Sequence, residues 1–398
     1  MISIVPAKPR SLESAREAMA KLLDQLDFSA SSDAVLLKPN IVDALPPRAA
    51  VDTDPTMVGG LILALRERGA SKFIVGENSG YFSSKPENFE RLVKVTGYAK
   101  LVQQLVDRHG VDVELVNLEF VELEERDWPL GKLKLPALLR DHAYVNFAKM
   151  KTHLATTVTL CTKNQKGLLL LADKKKFHLG YGGRADLHEC IAELAKLVRP
   201  ELAVVDATRA LEGTGPTQNP EGQTSVRKLG VCVGGTDQVE VDVACCRLMG
   251  VDPASVDHLR LLRPSGARDV ELAPGSLPLR PADPPFRPAA KHVKFGSLYL
   301  HASMWACTGC QMAFARTMRK LTLVPDLTER LRKLQERVGR VDVFVGKTSV
   351  EAVTPDLGVS LFFGNCTKKL AEELGAAHVP GCSPDHNEAI EVLLSLVE

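Results

Sequence analysis

Short apolar runs alternate with amphipathic stretches through the first 270 residues. ISIV precedes Leu12 to Leu26, AVLL precedes Met57 to Arg68, and KFIV precedes Phe89 to Val106, after which comes VDVELVNL. Brief runs of branched apolar residues suit strands buried on both faces, and the longer stretches carry apolar residues at helical spacing. That is the rhythm of parallel βαβ units. AYVNF before Lys149, ELAVVDA before Thr208 and LGVCVGG before Thr236 read as further buried strands, with helices over Leu187 to Val198 and Val239 to Met249. The pattern predicts an α/β fold with a doubly wound, mostly parallel sheet over residues 1–273.

Between Pro274 and Pro288 six prolines fall in fifteen residues. Proline lacks the amide hydrogen that a helix interior or a central strand requires, so residues 274–290 are expected to be a proline-rich linker. The alternation then resumes: a helix from Leu327 to Val338, strands VDVFVG and VSLFFG, a helix from Lys368 to Leu374, AHVPG, and a final helix from Glu388. Residues 291–398 are therefore expected to form a second, smaller α/β domain.

Composition narrows the class of function. With 398 residues, 45% of them hydrophobic, the chain can fill more than one core. Fifty basic residues against forty-nine acidic ones leave a formal charge of +1, so the molecule as a whole has no field to gather nucleic acid or an acidic membrane. The first residues lack an apolar stretch between a basic head and a small-residue cleavage site, and no apolar run reaches membrane-spanning length. Cytoplasmic location is the expectation. Nine cysteines, an odd number, then point to thiols or metal ligation rather than a disulfide framework.

Those nine divide in two. Cys161, Cys190, Cys232, Cys245 and Cys246 lie among apolar neighbours within predicted strands and helices, where cysteine is a small buried hydrophobe. Cys307 and Cys310 form C-T-G-C ahead of a helix, Cys366 follows F-F-G-N, and Cys382 follows V-P-G. All four fall in turns beyond predicted elements, and such turns converge on one rim of a parallel sheet. Soft thiolates suit an iron–sulfur cluster or zinc, and Cys-x-x-Cys supplies two ligands from one loop. Structural zinc is the bland alternative. It usually pairs two Cys-x-x-Cys knuckles, whereas 15 residues separate Cys366 from Cys382. The flanking residues resemble the cluster-binding subunit of nickel–iron hydrogenases and its relative in respiratory NADH:quinone oxidoreductase. That resemblance covers about the last hundred residues and implies that the four cysteines hold one 4Fe-4S cluster. Ser383 departs from it, standing where those proteins usually place proline.

Polar residues crowd the strand ends of the first domain: Lys38-Pro39-Asn40 after AVLL, and Glu77-Asn78-Ser79-Gly80 after KFIV. After AYVNF come Lys149, Lys151 and His153, then Lys163, Asn164, Lys166 and Gly167. A second basic group, Lys174, Lys175, Lys176 and His178, leads into the glycine-rich stretch 180–183. Each lysine alone is explained by a solvated face. Together the ammonium groups repel one another unless carboxylates or a bound anion balance them. Asp206, Glu212, Asp237 and Asp242 follow strands and are candidate counter-charges, metal ligands or bases, though aspartate serves as often in caps and turns. E-G-T-G-P at Glu212 to Pro216 does not space its glycines as a dinucleotide fingerprint does, and there is no Walker loop.

L-K-P-N at Leu37 to Asn40, N-F-A-K-M-K-T-H at Asn146 to His153, T-K-N-Q-K-G at Thr162 to Gly167, V-D-A ahead of E-G-T-G-P, and G-T-D-Q-V-E-V-D at Gly235 to Asp242 together resemble the domain of unknown function 362 family. Many members of that family look like iron–sulfur proteins, but the resemblance brings no settled reaction. Some carry a ferredoxin-type insert of closely spaced cysteines, which is missing here.

The expected protein is an oxidoreductase that passes electrons between a 4Fe-4S cluster and an anionic substrate or cofactor. Lys38, Asn40, Lys149, Lys163 and Asn164 are the candidate binding residues, and His153, Lys151 and Asp206 the candidate catalytic ones. Partners would be an anionic small molecule and a redox protein, with no nucleic acid and no membrane. The alternatives are an electron-carrier or accessory subunit, and a non-redox enzyme on an anionic substrate whose cluster or zinc is structural.

Overall fold

The apolar runs AVLL, AYVNF and ELAVV occupy the middle of a sheet. The computed structural model describes all residues except 79–85, 179–180, 182–183, 219–223, 264–265, 291, 296, 303–305, 307, 347–358 and 397–398. The chain divides into one unit built from Met1–Gln218 and Thr224–Ala289 and a second running Ala290–Glu398.

In the first unit, β1 (Ile2–Pro6), β2 (Ala34–Pro39), β3 (Lys72–Glu77), β4 (Asp112–Asn117), β7 (Ala143–His153), β9 (Leu202–Gly213) and β11 (Val231–Gly235) form a sheet ordered β1-β11-β9-β7-β2-β3-β4. β8 (Thr157–Thr159) extends it from β7 and β10 (Thr224–Arg227) from β9. The run β9-β7-β2-β3-β4 is parallel. β11 lies antiparallel to both β9 and β1, so the LGVCVGG strand reverses the expected winding. A hairpin of β5 (Leu123–Trp128) and β6 (Gly131–Pro136) stands apart.

Side chains alternate across the sheet. Val35, Leu37, Val145, Phe147 and Val204 pack into one apolar cluster with helices Leu12–Leu26 and Pro55–Arg66. Leu36, Tyr144, Ala148 and Val205 face the other way, where helices Leu187–Leu197 and Gln238–Met249 cover them. The stretch read as one helix from Phe89 to Val106 is two, Pro86–Val95 and Tyr98–His109, parted at Gly97, whose φ of +88° no α-helix contains. Residues 274–289 lie along this unit: Leu277 and Phe286 donate backbone hydrogen bonds to Ile4 and Met249, and Phe286 is buried.

The second unit is a smaller sheet, β12 (His292–Phe295), β13 (Leu298–Ala302), β14 (Val341–Val345), β15 (Val359–Phe363) and β16 (Ala377–Val379), in that order. It is parallel from β13 to β16. Helices Thr308–Leu323 and His386–Ser395 contribute Phe314, Met318, Ile390 and Leu393 to its core. Among the described residues no helix is long and apolar enough to cross a membrane.

Candidate functional site

The polar residues of the first unit gather at the ends of β2 and β3 and beside them along the middle of β7 and β9, strands that run on past the apolar runs AYVNF and ELAVV. Lys38 lies beside Asn146 in the β2–β7 register and Lys149 beside Asp206 in β7–β9. The register then shifts between Lys149 and Lys151. Beyond β8 the chain turns through Cys161–Asn164 and Gln165–Leu168, which bring Asn164 and Gly167 back onto β2 and β3.

Two lysines here carry their own counter-ions. Lys38 Nζ lies 2.7 Å from Glu77 Oε2 and also donates to the carbonyl of Pro39 and to Asn164 Oδ1. Burial holds its pKa below that of a free lysine, against the pull of Glu77. Lys149 Nζ lies 2.7 Å from Asp206 Oδ2, both side chains buried. Burial by itself would raise Asp206, but Lys149, Thr208 and the backbone amide of Asp54 hold its carboxyl below the usual range. Asp206 is thus a settled counter-charge in this state. The amides Asn40, Asn164 and Asn146 link up in a chain: Asn40 Nδ2 donates to Asn164 Oδ1 at 3.0 Å, and Asn164 Nδ2 to Asn146 Oδ1 at 2.8 Å.

Gly167 closes this network. A Cβ there would fall on Lys38 Cε and Nζ and within 2.5 Å of Glu77 Oε1, so the segment approaches the ion pair with its bare backbone.

Lys151, His153 and Lys163 differ from this pair. Lys151 Nζ donates to the carbonyl of Val51 at 2.7 Å, and burial lowers its pKa to about 8 despite Asp52. Burial in turn raises Asp52 to about 7, against the opposing Lys151. His153 Nδ1 accepts the amide hydrogen of Ala155 at 3.0 Å, which puts the imidazole hydrogen on Nε2. Burial, with the Lys163 charge next in strength, holds His153 well below the ordinary histidine range, so the ring is neutral. Lys163 is partly buried on Cys161–Asn164.

The remaining polar candidates have structural partners. Glu212 pairs with Arg227, Asp237 caps helix Gln238–Met249, and Asp242 accepts the amides of Cys161 and Thr162. Lys174 reaches Asn78, Lys176 reaches Asp173, and Lys166 Nζ lies 2.7 Å from His178 Nε2. Cys161, Cys190, Cys232, Cys245 and Cys246 are buried. Asp52, Thr53 and Asp54 belong to the same rim and were not read as site residues. Thr53 bridges Asn40 to Phe147, and Asp54 caps helix Pro55–Arg66. Their signal was the aspartate before a proline that starts a helix.

In the second unit, three of the four turn cysteines follow the carboxyl ends of parallel strands, and Cys307 lies outside the described residues. Cys310 is in the first turn of helix Thr308–Leu323 after β13, Cys366 follows β15, and Cys382 follows β16. The last two turns are tied together: Asn365 N donates to the Gly381 carbonyl at 3.0 Å and Gly381 N to Asn365 Oδ1 at 2.7 Å. The sulfurs of Cys310 and Cys366 both lie close to Gly364: a Cβ there would be 2.9 Å from the first and 3.9 Å from the second. Among the described residues no three histidine, cysteine or acidic groups are gathered closely enough to hold a metal ion.

Thylakoid-associated protein sll1697 of Synechocystis sp. is 26% identical to this chain over 247 residues, which cover 62% of the chain and 72% of that protein. No solved structure gives a significant match. Residues 35–247 match the family described as Domain of unknown function (DUF362). That span holds Lys38, Glu77, Lys149, His153, Lys163 and Asp206, and because it takes in more than half of the sequence, the chain belongs to the DUF362 family.

Proposed function

We propose that this chain is a 4Fe-4S protein of the oxidoreductase class, with Cys307, Cys310, Cys366 and Cys382 as cluster ligands and an anionic substrate or cofactor held by the first unit. The observation that supports the reading best is the turn geometry around Gly364. The sulfurs of Cys310 and Cys366 both lie close to Gly364, and the Cys366 and Cys382 turns are hydrogen-bonded to each other at the preceding residues. Gly364, lacking a side chain, lets its backbone come close to both sulfurs. Thiolates in such a place suit a cluster. When bound, a cluster of this type takes up and releases single electrons.

The chain's own part in the chemistry lies in the first unit. Lys163 and Lys151, both held below an ordinary lysine by burial, become charged donors when an anion binds, and neutral His153 can donate from Nε2 or accept a proton at Nδ1 only after its hydrogen bond from Ala155 breaks. Asp206 fits a base poorly while Lys149 holds it ionised and saturated. A cytoplasmic setting fits the reading, because reduced thiols persist there. Thylakoid association is known from the relative's name alone.

Iron and acid-labile sulfide measured on protein purified without oxygen test the proposal. About four of each per chain is expected, falling sharply in Cys310→Ser, Cys366→Ser or Cys382→Ser and unchanged in Cys245→Ser. Colourless protein with one zinc and no sulfide would replace the cluster by a structural site. A cluster that keeps one oxidation state across the accessible potential range would remove the redox role.

A further inference from the structure

We propose that Lys163 and His153 head an oxyanion seat in the first unit that takes a phosphate or carboxylate group, and that Lys38 and Lys149 stand outside it. The inference rests on the proposal of an anionic ligand and specifies its site and chemistry.

The rim lysines divide by partner: Lys38 and Lys149 are ion-paired, Lys151 donates to a backbone carbonyl, and Lys163 stands apart. Lys38 and Lys149 spend their charge on Glu77 and Asp206 at 2.7 Å each. The Lys163 amine makes no hydrogen bond or ion pair among the described residues, and burial first, then the charges of Lys166, Lys151, Lys174 and Lys38, hold it well below an ordinary lysine. They come from several sides: Lys38 from β2, Lys151 from β7, Lys166 from Gln165–Leu168 and Lys174 from helix Leu171–His178. Lys163 in turn acts on His153, on His178 of that same helix and on His258 of helix Asp257–Leu262. No carboxylate is among the leading influences on it. Crowding like charges in a partly buried place is costly unless an anion offsets it.

A second observation is independent of that charge. His153 is fully buried, its Nδ1 is committed to the amide of Ala155, and its Nε2 has no partner among the described residues. Nε2 therefore carries a buried hydrogen with nothing to receive it. Leaving such a donor unsatisfied forfeits the hydration it has in the unfolded chain. An ammonium and an imidazole N–H are both donors, so what completes them is an acceptor with negative charge. A metal cation would meet repulsion there. An oxyanion accepts from both groups and neutralises Lys163, and charge-assisted bonds of this kind are the stronger ones.

Calorimetric titration of the whole chain with inorganic phosphate, and separately with acetate, tests the seat. One saturable site for at least one of the two is expected, and which of them binds assigns the class. Affinity should fall at least tenfold in Lys163→Met and in His153→Leu, and stay unchanged in Lys176→Met, whose lysine is exposed and paired with Asp173. Without added anion Lys163→Met should be as stable as the parent or more so, since it removes a buried amine that has no partner among the described residues. The proposal is overturned if neither anion saturates the folded parent, if Lys163→Met binds as tightly, or if it is markedly less stable without anion. Iron analysis on the same samples keeps the two readings apart: anion binding without iron would sink only the cluster, and iron without anion binding only the seat.

Discussion

The ammonium of Lys38 and the carboxylate of Glu77 meet at 2.7 Å across neighbouring strand ends, with side-chain exposures of 0% and 4%. Removing one partner leaves the other charged, buried and unpaired, which typically costs about 3–5 kcal/mol. Lys38→Met and Glu77→Leu should each lose about that much in urea unfolding. The double variant should recover part of it, because no orphaned charge remains. Equal stability of all three with the parent would show the pair to be dispensable.

How much of this was legible in the sequence follows from what each feature depends on. Lys38, Lys149 and Asp206 were expected at strand ends because an apolar run stops just before each, but only Lys38 lies near one: β7 runs on to His153 and β9 to Gly213, through polar residues that pair across the two strands. That two of these lysines are neutralised by Glu77 and Asp206 was not visible, since partner choice depends on which strands lie side by side. Strand direction was hidden for the same reason. LGVCVGG is equally apolar whether parallel or antiparallel, and only the neighbours of β11 decide. The β5–β6 hairpin escaped notice because LEERDW and GKLKLP carry too little apolar alternation to read as strands. That Lys38 and Lys149 are ion-paired while the Lys163 amine has no partner among the described residues required coordinates.

Gly167→Ala tests how tightly the returning segment sits on the Lys38–Glu77 pair. The added methyl would fall on the end of Lys38, whose side chain is held by Glu77, Pro39 and Asn164 and cannot swing to solvent. A loss of roughly 1–3 kcal/mol is expected, as for other overpacked sites. Anion affinity should drop as well, because Lys163 and Asn164 ride on the same segment. Unfolding curves and the phosphate titration on one preparation separate the two effects.

Acid should destabilise the first unit below the pH at which free histidine titrates. Burial depresses His153, His178 and His258, so around and below pH 6.5 the unfolded chain takes up protons that the folded one refuses. The stability these groups contribute is present above that pH and is lost as pH falls toward their folded values. Each can add up to about 1.4 kcal/mol per pH unit to the slope. His153→Leu should remove one such increment, seen as a shallower fall of unfolding free energy between pH 6.5 and 5. An unchanged slope would mean that His153 titrates normally in the folded state.

Gly364→Ala addresses the cysteine turns without touching a proposed ligand. Gly364 has φ +97°, a left-handed conformation that favours glycine, and its amide donates to the Val379 carbonyl at 2.8 Å. A methyl there would press on Cys310 at 2.9 Å, closer than real Cβ contacts come, and lie 3.9 Å from Cys366. The turn must then shift, and with it the backbone close to both sulfurs. If these turns hold a cluster, the alanine variant should lose iron and sulfide nearly as fully as Cys310→Ser while keeping every thiol. If instead the cysteines only pack, the same change should cost stability in the second unit and leave metal content where it was. Counting iron, sulfide and free thiols in parent, Gly364→Ala and Cys310→Ser decides between these outcomes, because strain at the turn and loss of a ligand converge on metal content only when the turn is the metal's seat.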